Sequence, residues 1–251
     1  MENKLDCMNT EMPIDKYIEY IEKRDNLLYK EKPRMIALYL FNYQDLLEKE
    51  MNLTISIKKL RLDMDTLLIN ENPNDITHKL MYYKEIYELK EKLENFKKNI
   101  NDNEKYRNEK NLTKDEMIEI SLSYKELMKK LNPEIIINTS INKIKLWKKT
   151  KDAYIKNDLG TLRMLMNIVK KENIKINNNI IIINEKIEDI KEEIDIIYEM
   201  YPFNIKNYIY NEKDINQFRN EINEKIEILL FNEEAMKKTI NMIDDNLNKN
   251  K

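Results

Sequence analysis

The sequence predicts an elongated all-α protein in which long coiled-coil hairpins flank a small helical module. Three features predict this architecture. The chain has a single Gly and five Pro, whereas sheet proteins repeatedly need positive φ angles and chain breakers at their turns. Charged residues make up 36% of the 251 residues, above the ~25% of average globular domains, which favours long solvated helices. Several segments also repeat apolar residues in alternating steps of three and four, the heptad pattern of a coiled coil.

The first part of the chain predicts a short helix and then a helical hairpin. Residues 1–33 are expected to form an N-terminal segment with one amphipathic helix. The best heptad seam follows at residues 36–67 and is broken at Pro73, because Pro disfavours helix in the residue before it. A second seam at residues 82–100 can return antiparallel to the first. We therefore predict a coiled-coil hairpin over residues 34–105.

The second part of the chain predicts a small helical module and another hairpin. Thr113 and Glu116 have the spacing of a capping box, in which each side chain binds the other residue's backbone N–H. They begin a module predicted over residues 113–172. Heptad seams return at residues 180–251, with an interruption at Pro202, and this pattern predicts a C-terminal coiled-coil hairpin.

Two β-branched runs would be strands on propensity alone. Residues 180–183 continue into the heptads that follow, so helix is predicted there. Residues 135–137 follow a Pro, and a short extended piece at residues 135–138 remains an alternative to a loop.

The composition argues against several classes of function. Lys and Arg number 44 against 46 Asp and Glu, so no overall attraction to nucleic acid or acidic lipid is implied. Neither a secretory leader nor a run of ~18 apolar residues is present, and we predict a cytoplasmic protein without a membrane span. Cys7 is the only cysteine, which excludes an intrachain disulfide and a cysteine-based metal site.

Catalysis is not expected either. His78 is the only imidazole and lies beside Asp75 and Thr77 in the sequence. It is predicted to be structural, because the sequence establishes no catalytic geometry around it. Gly160 is the only glycine, whereas phosphate-binding loops need several. Neighbouring carboxylates such as Glu192 and Glu193 diverge on a helix. We predict a non-enzymatic protein without a cofactor or bound metal.

The most informative segment is residues 121–169. Its first part is a short basic amphipathic helix with Lys125, Lys129 and Lys130, and this helix leads into Asn132-Pro133-Glu134. A second helix follows, on which Trp147 and Tyr154 have the spacing of core residues. A third helix opens after Asn157.

This order of elements resembles the J-domain family, and more broadly bacterial J-domain-like coiled-coil proteins. That family carries His-Pro-Asp where this chain has Asn132-Pro133-Glu134. The resemblance implies that the basic helix faces a DnaK-type ATP-dependent chaperone and that the following loop triggers ATP hydrolysis by the chaperone. Lys125, Lys129, Lys130, Asn132, Pro133 and Glu134 are then the docking candidates.

The motif is degenerate at two of its three positions. Asn132 supplies a neutral amide that cannot become cationic, and Glu134 carries its carboxylate one methylene further out than Asp does. The leading hypothesis is therefore a co-chaperone-like interaction protein that stimulates a DnaK-type ATPase poorly. The alternative is a structural coiled-coil scaffold in which Asn132-Pro133-Glu134 only ends a helix. The heptad seams also allow a homodimer.

Overall fold

The computed structural model describes residues 13–68, 73–107, 112–136, 140–170 and 180–249. The predicted all-α class is confirmed, because these ranges contain helices and no β-strand, with Ile136 in an isolated β-bridge. No helix in them combines the length and apolar character that a membrane crossing needs. The α-helices are α1 Pro13–Asn26, α2 Lys32–Leu68, α3 Pro73–Arg107, α4 Lys114–Leu131, α5 Ile141–Ile155, α6 Leu159–Val169, α7 Ile180–Glu199, α8 Asn207–Tyr210 and α9 Glu212–Lys249.

The chain divides into two compact units. Unit 1 comprises residues 1–33 and 109–204, and unit 2 comprises residues 34–108 and 205–251. The segment 180–251, which the sequence predicted as one hairpin, contains helices of both units, because α7 belongs to unit 1 and α9 to unit 2. Equivalent heptad seams do not specify which helix each one packs against, and this explains the difference.

In unit 1, α7 packs against α1 through the predicted seam. The β-branched start of α7 is helical, as its heptads predicted. Ion and ring contacts along the pair keep a nearly constant sequence offset, as between Arg24 and Glu193 and between Lys186 and the ring of Tyr17, so the two helices run parallel. The apolar residues buried along the two helices are Ile14, Tyr17, Ile18, Ile21, Ile183, Ile187, Ile190, Ile194 and Ile197.

Helix α4 packs against α1, α5 and α6. Its predicted capping box is present: the Thr113 N–H donates to Glu116 Oε2 at 2.8 Å, and the Glu116 N–H donates to Thr113 Oγ1 at 3.2 Å. Helix α6 has Asp158 as its N-cap, and the Asp158 side chain accepts from the Thr161 N–H at 2.9 Å. Asn157 before it has a φ of 54°, a conformation that Asn tolerates better than most residues. These local signals set where the helices start.

A buried polar network joins α1 to α4. Asp25 is only 1% exposed, and Tyr124 donates its hydroxyl hydrogen to Asp25 Oδ2 at 2.6 Å. The guanidinium of Arg24 lies 3.2 Å from Asp25 Oδ1. The ring of Tyr124 stacks on Tyr154 at a centroid distance of 3.9 Å and on Trp147 at 5.6 Å. Burial raises the pKa of Tyr124, which keeps its hydroxyl protonated as the donor.

A π-helical segment, Leu27–Glu31, follows α1 directly after this network. Lys30 Nζ lies 3.6 Å from the centroid of the Tyr154 ring, a cation–π contact. Lys151 Nζ lies 4.0 Å from Asp25 Oδ2. Single π-helical turns are often found at functional or strained positions, and here the turn borders the buried carboxylate.

Unit 2 is built around α2. Ion pairs from Lys58 to Glu85 at 2.5 Å and from Lys97 to Glu48 at 3.3 Å show that α3 returns antiparallel, as its seam predicted. Helix α9 runs parallel to α2, because Arg219 pairs with Asp45 and a later residue of α9, Glu233, binds Ser56. The core of this pair is formed by Tyr43, Leu53, Ile222 and Ile226.

We expect Tyr124→Phe to lower the free energy of unfolding by about 1–3 kcal/mol, because it leaves a buried carboxylate oxygen without its donor. Urea unfolding followed by circular dichroism measures this. The matched control is Tyr198→Phe in the same unit, at a side chain 45% exposed, which should change stability by less than about 0.5 kcal/mol. Equal stability of the two variants would show that the Tyr124 hydroxyl contributes nothing.

Candidate functional site at the end of helix α4

The six predicted docking residues lie together at the carboxyl-terminal end of α4 and in the turn after it. Helix α4 places its lysines on the last two turns, and the helix ends at Leu131 with Asn132 as its C-cap. Pro133 and Glu134 occupy the exposed part of the turn. The predicted residues therefore form one neighbourhood, but their side chains are engaged very differently.

Two of the three lysines are held by acidic residues of α1. Lys125 Nζ lies 3.1 Å from Glu22 Oε2 and 3.7 Å from Glu19 Oε1. Lys129 Nζ lies 2.9 Å from Asp15 Oδ1. The hydrogen bond with Asp15 raises the pKa of Lys129. The positive charge that the resemblance assigns to a chaperone is thus largely matched by carboxylates within unit 1.

Asn132 is buried as a structural cap. It is 1% exposed, and its Oδ1 accepts from the Glu134 N–H at 2.9 Å. The Asn132 N–H donates to the carbonyl of Met128, and its own carbonyl accepts from Ile135 and Ile136, each at 3.1 Å. This is an Asx-type turn closing a helix. An amide fixed in this way cannot also reach a partner protein.

Lys130, Pro133 and Glu134 remain accessible at this site. Lys130 is half-buried and forms no ion pair with any residue in the described ranges. The Glu134 carbonyl accepts from Lys186 Nζ at 3.0 Å. Burial, together with the nearby Glu134 carboxylate, raises the pKa of Tyr17 to about 12. The accessible surface is therefore small and carries one lysine and one carboxylate.

Other residues singled out in the sequence have different outcomes. Trp147 and Tyr154 are buried in the core of unit 1, as their spacing predicted. Cys7 and the side chain of His78 lie outside the described residues. Within the described ranges no group of three or more His, Cys, Asp or Glu side chains could hold a metal ion.

Sequence reasoning missed the acidic partners of the α4 lysines. Asp15, Glu19 and Glu22 recur in steps of four and three on α1, and this pattern reads equally well as a solvated face. Asp25 was missed for a similar reason, because Asp is almost never fully buried unless it is paired. The roles of these three acids and of Asp25 become evident only when α1 is seen beside α4 in the structure.

We expect Lys125→Glu to destabilise unit 1 by roughly 1–2 kcal/mol, since it places a third carboxylate beside Glu19 and Glu22. Half of this loss should disappear at about 1 M salt, where the screening length is about 3 Å. The control is Lys130→Glu, which removes no ion pair and should be close to neutral. Urea unfolding measures both variants. Identical unfolding curves for Lys125→Glu and Lys130→Glu would contradict the assignment of Lys125 to the fold.

Comparison with known proteins identifies no relative of this chain. No family model, no curated protein and no solved structure matches the chain. The resemblance to J-domains therefore rests on the residues around Asn132-Pro133-Glu134 alone.

Proposed function

We propose that this chain is a non-enzymatic helical scaffold of the cytoplasm that binds partner proteins through the exposed face of α3. The observation that carries the proposal is an apolar stripe on that helix. Leu80, Tyr83 and Tyr87 are 62%, 60% and 69% exposed, and their i, i+3, i+7 spacing places them on one face. Ile86 and Leu93, centred about 100° further round the same helix, are buried.

The chemistry of the stripe suits a partner helix. Amphipathic helices pack on apolar surfaces through residues at this spacing, and exposed apolar patches on folded proteins commonly mark interaction sites. Burying each of the three side chains would contribute about 2 kcal/mol. Much of that gain offsets the loss of freedom on association, so a moderate, reversible interaction is expected.

The contacts of α4 also support a scaffold. The lysines that would attract a DnaK-type chaperone pair with Asp15, Glu19 and Glu22 of the same unit. Asn132 caps its helix from a buried position. In this interpretation the J-like module at residues 113–172 is a structural element of unit 1.

The second candidate function is that of a weak co-chaperone. It is favoured by the exposure of Pro133 and Glu134 beside Lys130, which leaves part of the motif free to contact a DnaK-type chaperone.

A homodimer through the heptad seam of α7 would have to use residues that α7 already buries against α1. Binding of a partner through α3 is therefore favoured over this homodimer.

The combined variant Tyr83→Glu and Tyr87→Glu tests the scaffold. Tagged wild-type protein should recover partners from host lysate, and the variant should lose them because two carboxylates cannot enter an apolar interface. The matched control is Asn95→Glu with Asn99→Glu, which adds the same charge at exposed positions of the same helix. Retention of every partner by the tyrosine variant would contradict the proposal.

An ATP-turnover assay with a purified DnaK-type chaperone separates the two candidates. A scaffold leaves the basal turnover unchanged. Stimulation by the wild type that disappears in Lys130→Glu would instead establish the co-chaperone. Asn132→His is unsuitable for this assay, because residue 132 is buried and a larger ring there would disturb the fold.

A further inference from the structure

Helix α5 carries positive charge that has no partner within the described residues. Its inner face is buried at Trp147, Thr150, Ala153 and Tyr154. Its outer face carries three exposed lysines, and none of them forms an ion pair with another described residue. The three are Lys145, Lys148 and Lys149, which fall within an arc of about 100° on the helix. Ile141, 73% exposed, lies on the same face.

Helix α7 carries the opposite charge on its outer face. Beyond Glu188 and Glu193, which pair with Lys191 and Arg24, five exposed acids on this helix form no ion pair with any described residue. These are Glu185, Asp189, Glu192, Asp195 and Glu199, within an arc of about 120°. Ile181 and Ile196 are exposed among them.

The two faces belong to the same unit, and among the described residues no lysine of α5 forms an ion pair with an acid of α7. Helix α5 packs against α4 and α6, whereas α7 packs against α1. Lys145 and Lys149 have the i, i+4 spacing that two of the unpaired acids, Glu185 and Asp189, repeat on α7. When these residues are aligned in parallel, Ile141 falls opposite Ile181. A second copy of the chain can therefore satisfy charge that one copy leaves unpaired.

We propose that the lysine face of α5 binds the acidic face of α7 of a second copy of this chain. Because two different surfaces meet in such a contact, it is heterologous, and repeated contacts of this kind can join successive copies into a ring or an open chain. Exposed ion pairs contribute little individually. The association is therefore weak, dependent on protein concentration and sensitive to salt.

Sedimentation velocity over a range of protein concentrations tests this. The wild type should associate at about 0.01 M salt, where the screening length is about 30 Å, and about tenfold more weakly at about 0.15 M, where it is about 8 Å. The variant Lys145→Glu, Lys148→Glu, Lys149→Glu should remain monomeric. So should the variant Glu185→Lys, Asp189→Lys, Glu192→Lys, because in each case the two faces then repel.

Mixing the two variants is the decisive step. Each altered face meets a complementary one in the other variant, so the mixture should associate again. The control variant Lys90→Glu, Lys92→Glu, Lys98→Glu changes the same charge at exposed positions of α3 and should associate like the wild type. Circular dichroism checks that all variants are folded, which is expected because none of the altered lysines or acids forms an ion pair with a described residue.

A wild type that stays monomeric at low salt would overturn the proposal, and so would a mixture that fails to associate. Binding of a monomeric wild type to phosphatidylserine vesicles, lost in the α5 variant, would overturn it as well and would assign the lysine face to an anionic membrane surface.

Discussion

The hydrogen bond from Tyr124 to the buried carboxylate of Asp25 is the interaction on which the arrangement of unit 1 depends. A buried carboxylate is costly unless it is paired and hydrogen-bonded, so α1 has one favourable position along α4. Arg24 and the aromatic stack around Tyr124 complete that position. Once α1 is fixed there, its other acidic residues necessarily lie beside the lysines of α4.

This constraint changes the interpretation of the J-like motif. The lysine pairs are partly exposed, and each contributes little stability by itself. The apolar residues of α1 that are buried in unit 1, such as Ile18 and Ile21, hold the helix in place. Lys125 and Lys129 of α4 are therefore not available to a partner protein, because a partner would have to displace α1 and expose apolar residues of the core. Exposed groups of lysines and of acids that form no ion pair with a described residue lie on the outer faces of α5 and α7.

The helices and their ends could be predicted from the sequence because their signals are local. The Thr113 capping box, the break at Pro73 and the heptads of α7 depend on nearby residues. The choice of partner could not be predicted, because the seam of α7 would suit α9 as well as α1. The candidate site shows the same limit. Its six residues lie close together in the sequence, but the pairing of Lys129 depends on Asp15 of α1, which is more than a hundred residues away.

The central claim is that α1 lies against the lysine face of α4 in solution. Zero-length carbodiimide cross-linking tests it most directly, because it joins only a carboxylate and an amine that are in contact. Peptide mass spectrometry of the unaltered monomer should find amide links between Lys129 and Asp15 and between Lys125 and Glu22, with no link from Lys130 to α1. Absence of both links, with Lys125 and Lys129 as reactive as Lys130 toward a small amine-directed reagent, would contradict the account.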